Sequence, residues 1–390
     1  MAGTPEHARL GAALPVVVPL LGILAVLLAP TGLLAALGAV GSGDFQWSGA
    51  HLLFHGVDPY HVQLTGPGGR IILEQNPNYL PGLYVVLLPL GALPFAVARC
   101  AWAALNVLMC LASAVWLGRA VGLRGWGLAG LPALLACSAP FVMALYTGQQ
   151  TSLVLFSSVL AYRSRSQVTQ GLTLALAVTK YSFSPLALLL LARRRWWALV
   201  VLALVSLASV GVLSAWTRRN PVTVALEPLR VGRGMHRGAT DAMSLSGMLL
   251  DAPRSPATYV VGLGTALLLF AVSRRVLALG DWVDALACAS LISLMVFPHV
   301  IYDLCLLLPV LASALRLRGR GQAVVLVVVG YFWFNSVLGG FPLGPYSLGG
   351  VATNLLLLGA ALASLVHAVH APEGTDAQAP VARLQEPSAP

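Results

Sequence analysis

Long apolar runs, broken by short polar segments, occupy most of the 390-residue chain. A helix needs about 20 apolar residues to cross a bilayer, where it satisfies its own backbone hydrogen bonds. The alternating segments of about ten residues that a membrane barrel requires are absent from the sequence. The pattern therefore predicts membrane helices at 12–36, 79–98, 100–118, 126–146, 149–162, 168–192, 196–216, 257–273, 282–298, 300–315, 321–338 and 346–369.

These runs predict an all-α, polytopic membrane protein with about 10–12 transmembrane helices. Residues 1–370 are expected to form one transmembrane domain, and the Pro- and Ala-rich residues 371–390 a disordered tail. Two polar segments, 41–78 and 217–256, are long enough to hold a site. Twelve spans that start with the N-terminus inside place both segments outside, although the topology of residues 119–192 stays open.

Composition and charge agree with a membrane protein. Hydrophobic residues make up 58% of the chain and charged residues only 9%, whereas soluble domains carry about 25%. The net charge is +10, and basic clusters such as Arg193-Arg194-Arg195 and Arg274-Arg275 directly follow apolar runs. This placement is typical of cytoplasmic anchors that face anionic lipid headgroups. We therefore expect a multi-pass protein of the plasma membrane that binds no nucleic acid.

The first outer segment offers a candidate catalytic carboxylate. Asp44 follows the first predicted span, where a carboxylate meets water and the membrane surface. Residues 45–54 mix large apolar side chains with Gln and His, which favours a short helix lying in the interface. The alternative is that Asp44 caps this helix. Asp58 precedes a proline and is expected to serve a turn unless it contacts substrate.

Polar residues within or beside apolar runs are further candidates. Lys180 is the only lysine of the chain and interrupts a predicted span together with Pro185. A lysine there indicates function unless it snorkels to the interface. His299 follows a proline between two runs and is either a ligand of the acceptor or simply interfacial. Arg233 and Arg237, in the second outer segment, are candidate phosphate ligands unless that segment is a solvated linker.

Several short motifs, taken in order, resemble glycosyltransferase family 87. The resemblance covers about residues 40–315, and its motifs are Asp44-Phe45, Gly56-Val57-Asp58-Pro59-Tyr60, Leu80-Pro81-Gly82-Leu83, Gly148-Gln149 and Lys180-x4-Pro185. Members of this family include α-1,2-mannosyltransferases that use polyprenyl-phosphate-mannose. Two departures stand out: the family usually has Tyr-Pro-Pro where Leu80-Pro81-Gly82 stands, and its Lys-x-x-Pro spacing is lengthened here.

The resemblance implies a GT-C fold and a sugar donor carried on polyprenyl phosphate. Asp44 would be the general base, and the acceptor a glycolipid or glycan on the outer face. The expected substrate-binding residues, from the motifs and from the polar positions above, are Asp58, Tyr60, Gln149, Lys180, Arg233, Arg237 and His299. The leaving group is a phosphomonoester, so no metal or other cofactor is expected.

Two alternatives remain at this point. A transporter or lipid flippase would use ionisable groups that meet within the membrane, with Lys180 and Asp303 lining the path. A catalytically inactive paralogue would keep the fold, and the departures near Pro81 and Lys180 leave room for one.

Overall fold

The computed structural model describes residues 44–66, 76–235, 256–297, 299–334 and 348–370. Within these ranges every regular element is a helix, in agreement with the all-α prediction. The α-helices are α1 Trp47–Phe54, α2 Pro59–Thr65, α3 Pro81–Gly91, α4 Phe95–Ala120, α5 Gly125–Ala136, α6 Ala139–Thr147, α7 Thr151–Arg163, α8 Gln167–Ala177, α9 Leu188–Ala192, α10 Trp196–Thr217, α11 Pro221–Met235, α12 Pro256–Leu279, α13 Trp282–Val296, α14 Leu308–Ala314, α15 Gly319–Phe334 and α16 Leu348–His370. Two 3₁₀ helices, Tyr181–Ala187 and Ile301–Leu307, lead into α9 and α14.

Helices occupy every predicted span that the described residues cover, and the first predicted span, 12–36, lies outside them. Two helices, α4 and α10, are each long and apolar enough to cross a membrane. A third crossing is formed if α5 and α6, bent by 56° at their junction, make one span. Among the remaining spans, α12 and α16 are helices of 24 and 23 residues, whereas the others are built from shorter apolar helices, several of which are separated by breaks.

Two of these breaks bring polar residues into the protein interior. The backbone becomes extended at Lys180, between α8 and the first 3₁₀ helix, which confirms the predicted interruption. A matching break follows α13, where Phe297 and Val300 are extended before the second 3₁₀ helix begins. Irregular backbone at membrane depth is tolerated where it is buried in protein or lines a cavity.

Helix α13 lies at the centre of the molecule. It is buried along nearly its whole length and packs against α12, α14, α16 and the first 3₁₀ helix. Ser293 of α13 donates a hydrogen bond to the carbonyl of Ser182 in that 3₁₀ helix, 3.0 Å away. By contrast, α10 exposes large apolar side chains such as Leu204 and Leu207, as a helix in contact with lipid does. Both breaks are therefore held against the most buried helix.

The described parts of the two polar segments, 41–78 and 217–256, contain helices. The short helix predicted after Asp44 is α1, and it packs on α3 so closely that a side chain on Gly91 would meet the backbone of Ala50 at 2.6 Å. Helix α2 follows in the same segment. The second segment begins with α11, which packs on α2, α3 and α10 instead of forming a solvated linker.

Candidate active site

The segment that carries Asp44 is docked onto the turn between α6 and α7. The amide of Asp44 donates to the carbonyl of Thr147 at 3.0 Å. Phe45 is fully buried and stacks on Trp102, with ring centroids 5.8 Å apart, while the Trp102 indole donates to the carbonyl of Gly148 at 2.9 Å. Gly148 has a left-handed backbone, with φ of 70°, and a Cβ there would lie 2.5 Å from Cβ of Phe45. The turn therefore fixes the backbone at Asp44.

Asp44 itself is partly exposed. Its backbone carbonyl accepts from the side-chain amides of Gln46 and Gln150, each at 3.4 Å. The N-cap of α1 is Gln46, and no side-chain hydrogen bond caps the helix there, so Asp44 is not the cap of this helix. The capping alternative is therefore wrong, and the carboxylate of Asp44 is left for another role.

A buried hydrogen bond joins the entry to α3 with the same turn. The hydroxyl of Tyr79 donates to the side-chain oxygen of Gln149 at 2.9 Å. Tyr79 is itself buried, and Gln149 stands next to Gln150, whose side-chain amide donates to the carbonyl of Asp44. This bond therefore ties the entry of α3 to the turn that holds Asp44.

Lys180 forms an ion pair with Asp303. Its ammonium lies 2.6 Å from Oδ1 of Asp303, and the hydroxyl of Thr151 donates to the same oxygen at 2.8 Å. The Asp303 side chain is 0% exposed and that of Lys180 13% exposed. The ammonium also lies over the ring of Tyr302, 4.8 Å from its centroid. Because an ammonium has three N–H groups and one meets Asp303, Lys180 keeps donors for a further partner.

His299 completes this cluster on the other carboxylate oxygen. Its Nδ1 lies 3.0 Å from Oδ2 of Asp303, and its Nε2 lies 3.0 Å from the carbonyl of Ser293. The imidazole also packs on Phe183, with centroids 4.6 Å apart. Lys180 and His299 thus each contact one carboxylate oxygen of Asp303.

Asp58 and Tyr60 support the site from the layer of α2. Oδ1 of Asp58 accepts from the amides of Tyr60 and His61, at 2.9 and 3.3 Å, and so caps α2. Asp58 is buried and pairs at 3.9 Å with Arg219, at the end of α10. Tyr60 is fully buried, and its hydroxyl donates to the carbonyl of Tyr79 at 2.6 Å. Asp58 and Tyr60 thus have structural partners and lie in a layer of residues that packs behind Tyr79.

A third buried carboxyl group faces Asp58 from α11. Glu227 accepts from Arg219 at 2.8 Å, and its other oxygen, like Oδ2 of Asp58, is buried without a hydrogen-bond partner among the described residues. Burial, and then Asp58, raise the pKa of Glu227 to about 7, while Arg219 and Arg230 act in the opposite direction. A proton held by Glu227 therefore joins α11 to α2 near neutral pH.

The structure brings four of the predicted residues, Asp44, Gln149, Lys180 and His299, into one region through the start of α7, where Gln150 contacts Asp44 and Thr151 contacts Asp303. Arg233 lies in α11, and its side chain, like the whole of Arg237, falls outside the described residues. Sequence reasoning did not select Tyr79, Thr151 or Asp303 as parts of an enzyme site. Asp303 carried a usable signal, because a carboxylate in an apolar run is as costly as Lys180.

Comparisons with known proteins identify a family. A family model described as glycosyltransferase family 87 matches residues 78–298, which is more than half of the chain. The match includes Tyr79, Gln149 and Lys180, whereas Asp44 precedes it. No curated protein and no solved structure matches the chain.

Proposed function

Because the chain belongs to glycosyltransferase family 87, we propose that it transfers a hexose, mannose in the first instance, from a polyprenyl-phosphate donor to a glycolipid or glycan acceptor. One observation carries the proposal. A partly exposed carboxylate, Asp44, lies in the same region as the ammonium of Lys180, which pairs with the buried Asp303 and keeps N–H donors for a phosphate. Sugar transfer needs a base for the acceptor and a cation for the departing phosphate.

In the proposed reaction, the acceptor hydroxyl attacks the anomeric carbon from the face opposite the phosphate. Its proton passes to the carboxylate of Asp44. The bond between the anomeric carbon and the phosphate oxygen breaks, and its electron pair leaves on polyprenyl phosphate, so the configuration inverts. Lys180 faces the negative charge that develops on the phosphate, and Gln149 positions the sugar. His299, whose ring nitrogens contact Asp303 and Ser293, holds Asp303 beside Lys180.

The Lys180–Asp303 pair is also what a transporter would use. The two carboxylate oxygens of Asp303, however, contact Thr151 and His299 as well as Lys180, so Asp303 is surrounded by hydrogen-bond donors. A carboxylate held in this way supports a rigid site better than a path along which charges change partners. Together with the family, this favours the enzyme.

The distribution of arginines supports a site on the outer face. Helix α10 begins after Arg193-Arg194-Arg195 and ends beside Arg219, which pairs with Asp58 in the layer next to Asp44. Arginine clusters that follow apolar runs mark the cytoplasmic side. In this proposal the end that carries Asp44 therefore faces outward from the plasma membrane.

The test is a transfer assay with the purified protein. Labelled polyprenyl-phosphate-mannose is supplied with a membrane lipid extract, and a nucleotide-linked mannose is supplied in a parallel reaction. We expect transfer from the polyprenyl donor only, and we expect Asp44→Asn to lower the rate by about 10²–10⁴-fold. Asp281→Asn, a carboxylate at the far end of the molecule in a pair with Arg316, is the matched control.

Each outcome decides a different part of the proposal. If Asp44→Asn keeps the full rate, Asp44 is not the base. If the wild-type protein uses only the nucleotide-linked sugar, the donor is wrong. If neither donor is used by a folded wild-type protein with any lipid extract, the chain is an inactive member of its family.

A further inference from the structure

A polar pocket of about 520 Å³ lies at the opposite end of the molecule, where α9 meets α10 beside the end of α12. Its wall is formed by three consecutive arginines and four residues of other elements, namely Arg193, Arg194, Arg195, Gln167, Ala278, Leu279 and Gly280. Three arginines around one hollow make it positively charged. The chemistry that matches such a hollow is a phosphate or another compact anion.

Arg193 is held in place by the end of α12. Its Nε donates to the carbonyl of Leu277 at 3.0 Å, and its Nη2 donates to the carbonyl of Gly280 at 2.8 Å. A cation at the C-terminus of a helix also interacts favourably with the helix dipole. A guanidinium has five N–H donors, so Arg193 is oriented by two of them and retains three.

The next two arginines complete the wall through the turn between α9 and α10. Arg194 takes a left-handed backbone conformation, with φ of 52°, which is uncommon for a residue with a side chain. Arg195 is the N-cap of α10 and makes no side-chain cap, so the first amides of this helix point toward the same end. Consecutive arginines on a tight turn therefore share one hollow instead of pointing along a helix.

The surroundings of the pocket are those of a lipid rather than of a dissolved anion. Trp196 and Trp197, which follow Arg195 directly, are 60% and 70% exposed, and exposed tryptophans mark the membrane interface. Leu279, in the pocket wall itself, is 76% exposed. Exposed leucines continue from there along α10 and α12, among them Leu204 and Leu268. An anion in the pocket would thus have an apolar surface directly beside it.

We propose that this pocket binds the phosphate of an anionic phospholipid, whose acyl chains lie along the exposed apolar faces of α10 and α12. The site is separate from the candidate active site. Helix α10 has 22 residues and so is about 33 Å long. The pocket lies at its first residue, whereas Arg219 and Asp58 lie at its other end. The lipid is therefore in the opposite leaflet and does not belong to the sugar-transfer reaction.

The proposal is tested with the purified full-length protein in a neutral detergent. Short-chain phosphatidylglycerol, short-chain phosphatidylcholine and inorganic phosphate are each titrated, and the rise in Tm gives the apparent affinity. We expect phosphatidylglycerol to raise Tm and the other two to leave it unchanged. Arg194→Gln/Arg195→Gln should weaken the phosphatidylglycerol effect by about tenfold or more, because two cations near one phosphate are lost.

The matched control is Arg318→Gln/Arg320→Gln. These two exposed arginines follow Arg316, which pairs with Asp281 next to the pocket, so they lie at the same end of the molecule but outside the hollow. We expect this control to keep the wild-type affinity within about twofold. Arg193 is left unchanged because it also holds the end of α12.

Three results would overturn the proposal. The Arg194/Arg195 variant could bind phosphatidylglycerol with the wild-type affinity, the control variant could lose as much affinity as the Arg194/Arg195 variant, or inorganic phosphate could raise Tm as much as phosphatidylglycerol does. The first result would mean that the lipid does not bind in this pocket. The second would mean that it responds only to the general positive charge of this end of the molecule, and the third that the pocket binds a dissolved anion. Should the double variant not fold, Arg194→Gln and Arg195→Gln are titrated singly. The phosphatidylglycerol that co-purifies with each variant, measured by mass spectrometry, then gives the same comparison.

Discussion

Asp44 and Asp303 are two carboxylates of one region, since the neighbouring residues Gln150 and Thr151 donate to the backbone of the first and to the side chain of the second. Asp303 is completely buried and receives donors from Lys180, Thr151 and His299. Asp44 is partly exposed, and it is its backbone that the protein holds. The same residue type is therefore used in two different ways within one region.

This difference in burial and in partners indicates which of the two carboxylates can accept a proton from a substrate. A carboxylate whose oxygens are filled by cations and hydroxyls stays charged and orients its neighbours. A carboxylate with solvent access can meet an acceptor hydroxyl and remove its proton. Asp303 is thus suited to position Lys180, and Asp44 is suited to react.

The largest effect expected from this division is on stability. Asp303→Asn should lower the free energy of unfolding by about 3–5 kcal/mol, because Lys180 and His299 lose the negative charge between them. Asp44→Asn should change it by less than about 0.5 kcal/mol, since the position is partly exposed. Unfolding titrations in detergent micelles measure both values. Equal losses in the two variants would mean that Asp44 is also a structural carboxylate.

Glu227 provides a buried carboxyl group that faces another carboxyl instead of a lysine. Its folded-state pKa of about 7 lies above the ordinary value of 4.5, so the folded protein holds a proton that the unfolded chain has lost between these pH values. This contribution to stability is present below about pH 4.5 and is lost as the pH rises through 7. We expect Tm to fall from pH 5 to pH 8, and to fall less steeply in Glu227→Gln. Parallel slopes for the two proteins would contradict the assignment.

Gly148 tests whether the position of Asp44 depends on the turn beneath it. Gly148→Ala should cost about 1–3 kcal/mol and lower the transfer rate by about 10–100-fold, since the new methyl group displaces Phe45 and with it Asp44. Gly122→Ala is the control, because Gly122 also has a positive φ, of 82°, but no atom lies within 4 Å of its added Cβ. Similar losses of activity in both variants would show that backbone strain alone is responsible.

The smallest effect concerns the hydrogen bond between Tyr79 and Gln149. Tyr79→Phe should cost about 1 kcal/mol and should also slow sugar transfer, because Gln149 loses the donor that orients it. Tyr162→Phe removes an equally buried bond, to the carbonyl of Leu186, and should cost similar stability without slowing transfer. Comparing stability with kcat/KM for both variants separates the two roles. If Tyr79→Phe transfers sugar at the wild-type rate, Gln149 does not contribute to the active site.

Much of the fold could be predicted because its causes are local. An apolar run in lipid has to form a helix to satisfy its own amides, and so the described helices fall on the predicted spans. The break at Lys180 was predictable for the same reason, since a lysine and a proline disturb one run. The short helix after Asp44 followed from a local mixture of apolar and polar residues.

The partners within the site could not be predicted in this way. Lys180 and Asp303 are 123 positions apart, and the contact between Gln150 and Asp44 spans 106 positions. The pattern of each segment sets which side chains are apolar but not which segments meet. Asp58 illustrates the limit, because its turn geometry was predicted, whereas its burial against Arg219 and Glu227 depends on how α11 packs.

The sequence by itself determined an all-α membrane protein, the positions of its helices and a resemblance to one glycosyltransferase family, because hydropathy and short motifs are read within single segments. Only the tertiary structure decided that the carboxylate oxygens of Asp303 contact Lys180 and His299, whereas Asp44 stays partly exposed. The physical reason is that burial and ion pairing depend on the neighbours that packing brings from distant parts of the chain.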